Sequence, residues 1–192
     1  KNLKFKINLD YAFISDSSNY KNINDVFSFV ERVEYFQYSF LDSRINFYMG
    51  EIRDFTLGHG YLVNDYSNTL THPIKRNIGF VVNLSNSNKS IKYDLLISNL
   101  RDFSENSGVI SNNISFLFSD NFPLYFGFSH VADLNQFSKY QDLELDYKRK
   151  IDAFQFDFTY PVIKKVYEKL YLIGEFVAID YPEKRFYIRI DD

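Results

Sequence analysis

The 192 residues carry 22 Lys and Arg against 25 Asp and Glu, a net charge of −3 that offers no basic surface to nucleic acid. The absence of cysteine excludes disulfide frameworks and thiolate metal sites. Aromatics make up 19% of the chain, 21 Phe and 16 Tyr with no Trp, and they need an apolar surface to cover even though the mean hydropathy is only −0.30.

No run approaches the roughly 20 apolar residues of a membrane helix. The chain opens at Lys1 without a signal peptide and reads as a mature protein or a fragment. From Leu3 to Phe13 the odd positions are Leu3, Phe5, Ile7, Leu9, Tyr11 and Phe13, and the even ones are Lys4, Lys6, Asn8, Asp10 and Ala12. Successive strand side chains point to opposite faces, so this segment predicts a strand with one apolar and one polar side. A long connection, Ile14 to Asp25, leads to a second strand, about Phe27 to Phe40, ending with Phe36, Tyr38 and Phe40 on one face. After the short Leu41 to Ser43 link, Ile45, Phe47 and Met49 alternate with Arg44, Asn46, Tyr48 and Gly50.

The connection Asp54 to Pro73 is long and holds Asp54, Gly58, His59, Gly60, Asp65, Tyr66, Asn68 and His72. Loops beyond about 12–15 residues in compact domains are often functional. Its Leu57, Tyr61, Leu62 and Val63 need cover, which predicts a loop folded back into the interior that narrows it, with Gly58 and Gly60 permitting a tight bend. The His and Asp spacing fits no metal motif, so no metal or cofactor is expected.

Strands follow at Ile78 to Leu84 and Ile91 to Ile97, joined by the short Ser85 to Lys89 link. The longer Leu100 to Gly108 connection leads to Ile110, Ile114, Phe116 and Phe118, whose face has Asn112 as its polar member. After Ser119 to Pro123, Leu124, Phe126 and Phe128 oppose Tyr125, Gly127 and Ser129. Beyond the long Asp133 to Asp142 connection, Leu143 to Tyr160 reads as one strand with a bulge near Arg149, its Phe154, Phe156, Phe158 and Tyr160 opposing Ala153, Gln155, Asp157 and Thr159. Pro161 to Glu168 is longer than the other links at its end. Leu170, Leu172, Phe176 and Ala178 then oppose Glu175, and Phe186, Ile188 and Ile190 oppose Tyr187 and Arg189.

The cleanly alternating strands have no charge on the apolar face. A Lys or Arg there would cost about 2–4 kcal/mol at the middle of a bilayer. Sorted short and long connections are the pattern of periplasmic turns and extracellular loops. Tyr11, Tyr93, Tyr125, Tyr160 and Tyr171 fall near strand ends, where aromatic girdles sit. The expected fold is an all-β, antiparallel, up-and-down transmembrane β-barrel of about ten strands, a single domain over residues 1–192 or a fragment of a larger barrel. Lys4, Lys6, Asp10, Arg44, Lys92, Asp94, Asp157 and Glu175 are expected to line its lumen.

The stretch Gly50 to Asn68, with its T-L-G-x-G element at Thr56 to Gly60 and Lys75 and Arg76 before the next strand, resembles poorly characterised outer-membrane barrel proteins of Gram-negative bacteria, as does Ser129 to Asn135. The resemblance covers roughly Gly50 to Asn135 and implies location in the bacterial outer membrane rather than an activity. The ending Arg189-Ile190-Asp191-Asp192 departs from the terminal aromatic of such barrels, and both ends read as cut from something larger.

No nucleophile elbow, phosphate-binding glycine loop or zinc motif is present, so no enzyme is expected. The expected function is a porin-like passive channel for small solutes in contact with outer-membrane lipid, oligomeric state open. The alternatives are a structural or surface-assembly barrel with a plugged lumen, and a soluble β-barrel or sandwich that binds an apolar ligand.

Overall fold

A computed structural model describes residues 2–7, 33–70, 76–119, 121–134, 150–164, 169–180 and 186–189. They form one antiparallel sheet of ten strands in which every neighbour in space is a neighbour in sequence. The strands are β1 (Asn2–Ile7), β2 (Val33–Phe40), β3 (Ile45–Gly50), β4 (Gly79–Ser85), β5 (Ile91–Ile97), β6 (Val109–Leu117), β7 (Tyr125–Asp133), β8 (Ile151–Lys164), β9 (Lys169–Asp180) and β10 (Phe186–Arg189). A short helix, α1 (Leu100–Ser104), lies between β5 and β6, capped by Asn99, whose side chain accepts from the Arg101 amide. The all-β, up-and-down expectation holds. Among the described residues no pairing joins β1 to β10, so the sheet is open. Asp10, His72, Tyr11 and the strand expected over Leu143 to Tyr147 lie outside the described residues.

The register carries each polar position across the sheet. One row runs Asn46, Asn83, Asp94, Asn113, Ser129, Gln155 and Val177; the next runs Ser85, Lys92, Ser115, Gly127, Asp157 and Glu175. A one-residue slip in any strand would turn that strand inside out.

Burial on the two faces is the reverse of that in a sheet with an oily core. Ser111 and Ser129 are 0% exposed and Gln155 is 1%, whereas Phe128 is 44% exposed and Phe156 41%. The apolar side instead carries cross-strand aromatic ladders. Phe40, Phe47 and Phe80 form one, with ring centroids 6.0 and 6.3 Å apart; Phe116, Phe126 and Phe156 form another, at 5.4 and 5.9 Å. Phe158 on β8 lies over Gly174 on β9, so the glycine makes room for the ring.

The connections sort as the sequence predicts, with two differences. Residues 41–44, 86–90 and 118–124 make the short links at one end, and 8–32, 51–78 and 134–150 the long ones at the other. The expected break after Tyr160 is not where the sequence puts it. β8 continues through Pro161 to Lys164, with the register shifting between Pro161 and Ile163, so only residues 165–168 separate β8 from β9. A proline donates nothing to a ladder, and the shift accommodates it. Only residues 181–185 separate β9 from β10, a short span at the end where the other connections are long.

Candidate functional site

The connection from Glu51 to Leu70 lies along the polar face. Two mutual backbone hydrogen bonds between Phe55 and Tyr66, at 3.1 and 2.8 Å, and one from Leu57 N to Val63 O at 3.0 Å, fold it into a narrow strap. The Thr56 hydroxyl accepts from the Asp65 amide at 3.1 Å. Gly58 (φ 57°) and Gly60 (φ 90°) take left-handed backbone at the tip, which is why glycines stand there. Asp54 and Asp65 are also left-handed, at the two corners of the strap.

Asn68 ties down the base. Its side chain accepts from the Ile52 amide at 2.8 Å and donates to the Ser98 carbonyl at 2.8 Å, bridging the strap to the end of β5. Asn77 donates to the Asn68 carbonyl at 3.0 Å, and Asn99 donates to Asn77 at 3.1 Å. Beside this network Glu51 is buried and receives Arg76 at 3.1 Å and Arg53 at 3.2 Å. Burial of a carboxylate is tolerated because two guanidiniums satisfy it.

The shaft is held by apolar contact. Ile52, Val81 and Leu96 form a buried cluster, with Tyr48, Phe55 and Tyr66 packed against it, and Leu57 is completely buried. Val81 and Leu96 are register partners at positions where the polar face turns apolar. They are the seat of the strap, and an apolar pair on an otherwise polar side is the sequence signal that would have revealed it. Burial raises the Tyr66 phenol above its ordinary value, opposed by its hydrogen bond to Ser98 and aided by Asp102.

The tip reaches β6, β7 and β8. A methyl group placed on Gly58 would sit 3.5 Å from Asp157 Oδ2, 3.6 Å from Ser129 Oγ and 3.7 Å from Asn113 Nδ2. His59 Nε2 lies 2.5 Å from the Thr159 hydroxyl and 3.6 Å from Asp157 Oδ1. Asp157 is 6% exposed and folds over Gly127, its register partner. Asn113 donates to Ser129 at 2.8 Å, whereas the Ser111 hydroxyl and the Gln155 carbonyl oxygen are buried and have no hydrogen-bond partner among the described residues. Tip and wall border an open cavity of about 360 Å³ that touches His59, Lys92, Asp94, Tyr125 and Asp157. A second, of about 520 Å³, lies between the strap's base and β2 to β4.

The structure brings part of the expected set together. Lys4, Lys6, Lys92, Asp94, Asp157 and Glu175 all fall on the polar side by register. Lys6 is paired with Glu34 at 2.8 Å, across a register shift that leaves Glu34 without a strand partner. Arg44 belongs to the 41–44 turn, where its Nε donates to the Leu41 carbonyl at 2.8 Å. Asp54 and Asp65 serve the corners of the strap. Of the girdle candidates, Tyr93 and Tyr160 share the apolar face, while Tyr125, the register partner of Thr159, lines the smaller cavity. No group of three or more His, Cys, Asp or Glu among the described residues is placed to hold a metal ion. Asn113, Gln155 and Thr159 were not singled out by the sequence, since only tertiary contact distinguishes them from other polar strand residues.

No protein-family model, curated protein or solved structure gives a significant match to this chain.

Proposed function

We propose that this chain is an outer-membrane β-barrel, or part of one, and acts as a porin-like passive channel for small solutes, with the strap from Glu51 to Leu70 narrowing its lumen. The observation that carries this reading is the inverted burial of the sheet. Hydroxyls, amides and a carboxylate are covered, while rows of Phe, Leu and Ile stay open on the other side. In water that face is an aggregation liability; in hydrocarbon it is the favourable arrangement.

The ends of the apolar face support the same reading. Towards the long connections it gives way to Asn112, His130 and Asp152, linked by contacts of 3.3 and 2.8 Å, with Lys150 3.0 Å from Asp152. Towards the short turns it carries Tyr38, Tyr93 and Tyr160. Polar groups and tyrosines belong at the two interfaces of a membrane. Backbone groups in hydrocarbon must all be paired, so this reading requires the edges of β1 and β10 to be closed, by each other or by further strands.

Refolding into liposomes tests the proposal. Purified protein should stay monodisperse only with detergent or lipid and should let small sugars in liposome-swelling assays. A folded, monodisperse protein in plain buffer would refute it. A second reading, a barrel plugged by the strap, is favoured by the complete burial of Leu57 on the polar face. Replacing residues 58–62 with a two-residue Asn-Gly turn keeps the Leu57–Val63 pairing and the Asn68 anchor. Channel activity already present in the wild type, with conductance that rises in this variant, supports a constriction; activity that appears only in the variant supports a plug.

A further inference from the structure

We infer that the cavity beneath the strap tip is a binding subsite for small zwitterions of the amino-acid class, an inference that rests on the polar face being open to solutes. Asp157 supplies the first half of the argument. Its carboxylate is almost fully buried, yet among the described residues its side-chain contacts are the Gln155 amide, donating at 3.5 Å, and His59 Nε2 at 3.6 Å, both long for a charged group. A buried carboxylate with distant donors is the place where an ammonium, with its three N–H groups, gains most.

Lys92 supplies the second half. It lies on the same register row as Asp157, through Ser115 and Gly127, and both residues line the cavity. Three strand spacings separate their backbones, about 14 Å. The lysine side chain spans part of that gap, and a solute bearing a positive and a negative end spans the rest. Lys92 is exposed and has no ion-pair or hydrogen-bond partner among the described residues, so its ammonium is available to a carboxylate. Asp94, the other acid of the cavity, already accepts from Asn83 at 2.7 Å and adds a negative field that disfavours simple anions. Tyr125 provides an apolar wall between the two ends for a short carbon skeleton.

Both charges on the ligand are required by this arrangement. A lone amine leaves Lys92 facing it, a lone carboxylate meets Asp94 and Asp157, and a neutral polyol leaves Asp157 without a cation. The cavity, about 360 Å³, suits solutes of a few to a dozen heavy atoms.

Titration calorimetry on the full chain folded in detergent tests this without depending on conduction. The probes are L-alanine, methylammonium, acetate and glucose, each against wild type, Asp157→Asn and Lys92→Met, with retained strand content checked by circular dichroism. Saturable binding of L-alanine is expected, weakened roughly 30-fold or more in Asp157→Asn, the loss that follows removal of one partner of a buried charged pair, and by up to about 5-fold in Lys92→Met, whose ammonium is exposed. Equal binding of glucose, equal binding of methylammonium, or undiminished alanine binding in folded Asp157→Asn or Lys92→Met would overturn the inference. So would the absence of alanine binding to wild-type protein that conducts in liposomes. Alanine binding by protein that does not conduct would uphold the subsite and refute the channel instead.

Discussion

The carboxylate of Asp157 lies across Gly127, its register partner on the neighbouring strand, in the space where any larger residue at 127 would place its Cβ. The glycine therefore sets where the acid sits, and the acid in turn lies beside the strap tip.

Gly127→Ala is expected to push that carboxylate away from the wall. Overpacking of this kind costs about 1–3 kcal/mol, readable as a lower urea midpoint in lipid or detergent. The displaced acid should also lose its approach to His59, now 3.6 Å away. A midpoint equal to wild type would show that the wall yields without strain.

Asn68→Ala should release the base of the strap while leaving the strands intact. The change orphans the Ile52 amide and the Ser98 carbonyl, each buried group costing about 1–3 kcal/mol. Limited proteolysis is the sharper readout: cleavage should appear within residues 51–70, with the strands still protected. Cleavage equally spread over the chain would mean that Asn68 supports the whole sheet instead.

Phe128→Lys separates a lipid-facing surface from a wet one. At the middle of a bilayer the substitution costs about 2–4 kcal/mol. On a surface in water it would fall within about 0.5 kcal/mol. Phe128 is well exposed and its ring lies 6.3 Å from Phe154. The control Phe128→Leu retains the apolar character. Reversible unfolding from vesicles should show the lysine variant clearly weakened relative to leucine.

Burial raises the Tyr66 phenol, so the folded strap favours its neutral form. Its contribution to stability is fully present below about pH 10, the ordinary tyrosine value, and is lost as the pH rises through the higher folded value. Protease accessibility of the strap should therefore not change on account of Tyr66 from pH 6 to 9 and should increase in strong alkali. Tyr66→Phe should blunt that alkaline increase; an identical profile would place its cause at another group.

Strand number, face and connection order were legible because a period-two pattern is local and the apolar side carries no charge between Leu3 and Phe5 or between Phe154 and Tyr160. The turn at Leu41, Asp42 and Ser43 was legible as a link but not as three successive left-handed residues, since leucine carries no signal for that conformation. Pro161 read as a break, yet the strand absorbs it by a register shift. The seat of the strap was hidden for another reason. Val81 and Leu96 are apolar at positions of the polar face, and only the docking of Ile52 onto them gives that a purpose. Asn68 was named among the loop candidates by its place in the long connection; its role as the anchor emerges from its partners on both sides.

His59 and Thr159 meet across 100 residues of chain. The strap emerges between β3 and β4, but the wall that receives its tip is completed only by β8. Contacts of such sequence separation form late, after the intervening loops have closed. In chain order the strap therefore precedes its own berth. The segment up to the end of β7 holds both partners of the Asn68 anchor, whereas Asp157 and Thr159, which meet the tip, come only with β8.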